Sequence, residues 1–221
     1  MTLDELIEAV QEVIQDSVFT EAKITTMLNR GLKVVAKGVL LPDKYQLTPP
    51  LPDLYSVDTV DTALNVGVCD LPLDYQRDLV QVVNESYDDI PIVPSFRKFL
   101  KQNPKQDAGS VRICSPHGKT LLYRDIPSTA ETLTVHYYQT PTLMEDGDDE
   151  PTGIPEHLQY QILVGFACSY IFNLIEDGME GQKLNTMEWR KQYYQGLAEL
   201  EIELGFDALA DQYEDLTERI D

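Results

Sequence analysis

Between Glu156 and Glu176 the chain places Leu158, Ile162, Leu163, Phe166, Ala167, Tyr170, Ile171, Leu174 and Ile175 around most of the girth of a helix. A helix that is apolar on nearly every side must be covered on several sides. The same chain offers helices to do it. Near the start, Leu3, Leu6, Ile7, Val10, Val13 and Ile14 recur at helical spacing, with Thr2 as N-cap and Glu5 three residues on. Thr20 stands as the cap of a second helix with the stripe Ile24, Met27, Leu28, Leu32, Val35 and Ala36, which Gly38 and Pro42 end. Downstream, Asn185 with Glu188 predicts a capping-box start for a helix carrying Trp189, Tyr193, Gly196, Leu197, Leu200 and Leu204.

Between these helices the pattern changes. "LTPPLPDLYSV" opens a region whose prolines forbid helix. The segments "LYSVDTV", "ALNVGVCDLP", "DLVQVVNESY", "SVRICS", "KTLLYRDI" and "ETLTVHYYQT" are short, rich in β-branched and aromatic residues, and separated by turn residues. "SPHGKT" predicts a hairpin turn and "PSFRKFLKQNP" a helical turn between strands. The expected fold is α+β: a four-helix bundle from residues 1–47 and 156–204, with residues 48–142 inserted as a small antiparallel β-sandwich or barrel. An acidic loop, 143–155, returns the chain to the bundle. An amphipathic helical tail follows Gly205, with Phe206, Leu209, Tyr213, Leu216 and Ile220 on one face and acids on the other. Such a tail either packs on its own bundle or docks into a groove on a partner.

Charge narrows the function. The 38 acidic and 17 basic residues give a formal charge of -21, which opposes binding nucleic acid through its phosphates. Cys69, Cys114 and Cys168 are odd in number and far apart, so they read as reduced structural thiols. The N-terminus lacks the basic flank and continuous apolar centre of a signal peptide. The apolar stretch from Ile162 to Ile175 is broken by Ser169 and Asn173, and reads as a core helix too short to span a bilayer. No membrane partner is expected.

A search for chemistry returns little. There is no P-loop, GxSxG elbow, HExxH or CxxC pair, and His117, His136 and His157 fall in separate predicted elements. Glu145, Asp146, Asp148, Asp149 and Glu150 are close enough to attract calcium, yet they depart from the EF-hand spacing. A mobile, solvated acidic loop is the expectation. Tyr123, Tyr137 and Tyr138 could make a sugar-stacking platform, but strand alternation sends one of Tyr137 and Tyr138 into the core. No catalytic residue, cofactor or metal is expected.

Taken in order, the hairpin "LDELIEAVQEVIQDSVFTEAKITTMLNRGLKVVAKGVLLP", the stretch "DLPLDYQRDL", the helix "GIPEHLQYQILVGFACSYIF" and "WRKQYYQGLAELEIEL" resemble the head-to-tail adaptor proteins of tailed bacteriophages and prophages. The resemblance covers nearly the whole chain. It implies a structural virion component at the head-tail interface: a ring of about twelve copies beneath the portal protein, which gives the tail or a downstream connector its docking surface. It also implies that the terminal segment reaches onto the portal, here Phe206, Leu209, Tyr213, Leu216 and Ile220. In a DNA conduit acidic walls let the duplex slide, so DNA passes without specific binding, and Glu145 to Glu150 is the first candidate for a lumen-facing segment. A tail-completion or terminator protein, a glycan- or surface-binding β module, and a metal-dependent hydrolase using the acidic loop are the alternatives.

Overall fold

Thr2 starts helix α1 (Leu3–Ile14) with a complete capping box: its hydroxyl accepts from the Glu5 amide at 3.4 Å, and Glu5 returns the favour to the Thr2 amide at 3.0 Å. Leu3, Leu6, Ile7, Val10 and Ile14 form its buried side. Helix α2 (Glu21–Lys37) ends at Gly38, whose φ of 94° is a backbone state that side chains disfavour. Thr20 does occupy the N-cap position of α2, but its side chain makes no capping bond.

The computed structural model describes residues 1–41, 46–63, 66–101, 110–127, 129–177 and 183–217, with side chains omitted at Gln46 and at 206–217. The chain is α+β and divides into two compact units, Met1–Asp53 with Pro141–Asp221, and Leu54–Thr140.

In the helical unit, the apolar segment is one continuous rod built from α4 (Glu156–Gln159), a π-helical turn (Tyr160–Val164) and α5 (Gly165–Ile175). It packs against α1, α2 and the long helix α6 (Leu184–Thr217). Ile162, Leu163, Val164, Ala167, Cys168 and Ile171 are fully buried there. Glycines bring the helices close. A Cβ on Gly31 of α2 would meet the Phe166 ring at 2.9 Å, and one on Gly165 would lie 3.2 Å from the Tyr193 backbone nitrogen. The whole helix Glu156–Ile175 is by length and composition apolar enough to cross a membrane, whereas the run Ile162–Ile175 within it reads as too short; its packing on α1, α2 and α6 makes it the core of this unit, as expected. A two-residue strand pair, β1 (Leu40–Leu41) with β2 (Gln46–Leu47), also belongs to this unit.

The β unit holds two antiparallel three-stranded sheets. In one, β8 (Thr132–Gln139) lies between β3 (Tyr55–Asp61) and β5 (Tyr75–Val83). In the other, β7 (Thr120–Arg124) lies between β4 (Val68–Asp70) and β6 (Ile113–His117). The short helix α3 (Phe96–Lys101) precedes β6. Alternation on the two central strands sends Leu133, Val135 and Tyr137 of β8, with Leu121 and Tyr123 of β7, into one shared core. Gly118, at φ 64°, closes the β6–β7 hairpin, and Asp78, at φ 48°, sits where β5 slips register against β8.

Candidate functional site

Acidic residues 145–150 occupy a loop that the helical unit holds in place. Asp149 accepts from the backbone amides of Glu145 at 2.7 Å and Asp146 at 2.9 Å, closing the loop on itself. Those bonds, the one from Asp146 foremost, hold its carboxyl below the ordinary value. The loop's carbonyls then serve α1: Leu3 N donates to Asp149 O at 2.8 Å and Asp4 N to Gly147 O at 3.1 Å. With the Thr2 hydroxyl on Glu5 N, the first three amides of α1 each have a partner. At the other end of the loop, Asn29 of α2 binds both backbone groups of Met144, accepting from its amide at 2.9 Å and donating to its carbonyl at 2.8 Å.

Backbone groups in the loop thus complete the N-terminus of a helix, which ties down a segment expected to be mobile and solvated. The carboxylates still face water: Glu145, Asp146, Asp148 and Glu150 are exposed. Gly147 lies so close to α1 that an added Cβ would collide with the Asp4 carboxylate. Asn29, Asp4 and Gly147 were not singled out as a set by the sequence. Asn29 left a signal, since an amide inside a helical stripe is a poor helix former and asks for a partner. Among the described residues no group of His, Cys, Asp or Glu side chains is arranged to hold a metal ion.

The second site concerns α6. Its start is capped by Glu176, whose carboxylate accepts from Asn185 N at 3.1 Å, Thr186 N at 3.2 Å and Thr186 Oγ1 at 2.6 Å. The expected Asn185 and Glu188 capping box is therefore replaced by a carboxylate from the preceding helix, and the helix already begins at Leu184. The helical tail expected after Gly205 continues α6 without interruption: the helix runs through Gly205 to Thr217. Phe206, Leu209, Tyr213 and Leu216 lie on that helical backbone with their side chains outside the described residues, and Ile220 lies outside them altogether.

The histidines stay apart in role. His117 stacks on Phe96 with ring centres 4.6 Å apart, His136 bonds Tyr55, and His157 pairs with Glu203 at 3.5 Å. Of the tyrosines considered for sugar stacking, Tyr123 and Tyr137 are buried in the β core and Tyr138 is half-buried.

A family model described as SU10 adaptor protein matches residues 1–215, and the chain belongs to that family of phage adaptor proteins. No curated protein matches it significantly.

Proposed function

We propose that the protein is a head-to-tail adaptor that forms a ring on the phage portal, prolongs the DNA channel, and offers the tail or next connector ring its docking surface. The observation that carries this reading is family membership over residues 1–215, nearly the full 221. Its net charge of -21 fits a conduit wall, which must not hold the duplex by its phosphates. In this reading the helical unit acts as a four-helix bundle with the rod 156–175 at its centre. Glu145, Asp146, Asp148, Asp149 and Glu150 line the channel, on a loop tied to α1 by its backbone carbonyls. Phe206, Leu209, Tyr213, Leu216 and Ile220 dock on the portal. Copies number about twelve, closed by cyclic contacts. The protein is then a virion component of the head-tail interface, built in the bacterial cytoplasm.

Negative-stain imaging of the purified protein with the portal from the same genome tests it, beside a truncation ending at Gly205. Rings that cap the portal and vanish with the truncation are expected. A full-length protein that never decorates the portal would remove the adaptor role.

A further inference from the structure

Helices α1 and α2 expose faces of opposite charge. The exposed ionisable residues of α1 are all acidic: Asp4, Glu5, Glu8 and Glu12. On α2, Glu21 apart, they are all basic: Lys23, Arg30, Lys33 and Lys37. Asp4, Glu8 and Glu12 recur every fourth residue, and Lys23, Arg30 and Lys37 every seventh, so each set shares one face. That face is opposite Leu6, Val10 and Ile14 on α1, and opposite Ile24, Leu28 and Val35 on α2. Among the described residues no ion pair joins an acid of α1 to a base of α2, although the helices are packed neighbours.

Helix dipoles do not account for the segregation. They favour Asp4 and Glu5 in a first turn and Lys37 in a last one, but they are indifferent to Glu8 and Lys33 in mid-helix and oppose Glu12 in the last turn of α1 and Lys23 in the first turn of α2. Like charges four apart, Asp4 with Glu8, Glu8 with Glu12, and Lys33 with Lys37, also weaken their own helices. The chain carries 17 basic residues, and this one helix presents four of them on its exposed side.

We propose that the two faces pair copies of this chain, the acidic face of α1 in one subunit lying against the basic face of α2 in the next. The complement of each face is present on the chain itself, which argues for a second copy as the occupant. A head-to-tail contact uses each face once per subunit, so closing the ring leaves none unmatched. The placement of this contact within a ring rests on the adaptor reading; the contact between copies does not need it.

Zero-length carbodiimide coupling of a mixture of 14N- and 15N-labelled protein tests the contact, first in low-salt solution at high concentration and then on the portal. Mass spectrometry should find mixed-isotope peptides joining Glu8 or Glu12 to Lys33 or Lys37. Reversing one face, by Glu8→Lys with Glu12→Lys or by Lys33→Glu with Lys37→Glu, should cut covalent oligomers by about tenfold or more. Mixing the two reversed proteins, or combining all four changes in one chain, should restore them. All four residues are exposed, and circular dichroism checks that the variants fold. Absence of the mixed peptides in both settings, or loss without restoration in the mixture, overturns the contact. Failure to decorate the portal while solution coupling succeeds would count against the adaptor reading and leave the contact standing.

Discussion

The Glu176 carboxylate accepts both hydrogen bonds that Thr186 can give, 2.6 Å from the hydroxyl and 3.2 Å from the amide, so the end of α5 caps the start of α6. The bond from the Thr186 hydroxyl leads the causes that hold the Glu176 carboxyl below its ordinary value. A carboxylate depressed in the folded state contributes stability that is complete above its unfolded value and is lost as pH falls through its folded value. Glu176→Gln keeps the shape and removes the charge. It should lower Tm by roughly 2–4 °C at neutral pH, with the difference from the parent shrinking as pH falls below the carboxylate range. Thermal melts across that range check it, and a gap that stays constant down to strong acid would count against the charge as the cause.

Gly196 and Gly205 are both in α6 and should respond oppositely to alanine. A Cβ at Gly196 would lie 2.9 Å from Gln161 Cβ and from Ile162 Cγ1, inside the packed π turn, whereas one at Gly205 meets nothing within 4 Å. Overpacking outweighs the helix-propensity gain at the first site, so Gly196→Ala should cost about 1–2 kcal/mol. Gly205→Ala should add up to about 1 kcal/mol. Urea titrations of the two variants measure both signs.

Asn29 is the clamp between α2 and the acidic loop. Asn29→Leu would take from Met144 the partners of both its amide and its carbonyl and should cost about 1–3 kcal/mol. The loop would then hold α1 less firmly. Hydrogen exchange at the Leu3 and Asp4 amides, which donate to that loop, should speed up more than exchange in the β unit. Uniform acceleration throughout the chain would instead mean global destabilisation.

How much of this was legible follows from what each residue needs. The apolar rod, the α1 capping box and the central strands β7 and β8 were readable because local pattern and tertiary role agree: Leu133, Val135 and Tyr137 alternate, and they are buried. The N-terminus of α6 was not, because Glu176 reaches it from another helix and leaves no mark within the i to i+3 window that a capping box occupies. Charge in the loop 145–150 was visible, but its order was not, since that order comes from backbone carbonyls meeting the amides of Leu3 and Asp4. Such backbone pairing has no side-chain signature. The tail after Gly205 was legible as helical but not as a continuation of α6, because a glycine lowers helix propensity without ending a helix that its flanking residues continue.

The three cysteines report on both units at once. Burial pushes the Cys114 and Cys168 thiols up to about 12 and Cys69 to about 11, with Asp70 and Asp61 adding to the shift at Cys69. Disulfide exchange needs the thiolate, so a native chain at pH 8 offers almost none at these sites. Cys168 belongs to the helical rod, while Cys69 and Cys114 belong to the sheet β4–β7–β6. Labelling with a thiol-reactive dye should therefore be slow in native protein, fastest at the half-buried Cys69, and rapid at all three positions in guanidinium. Partial denaturant separates two outcomes. If Cys168 and Cys114 become reactive together, the helical and β units unfold as one cooperative system; if one leads, that unit opens independently. Rapid labelling of Cys168 under native conditions would contradict its place in the core.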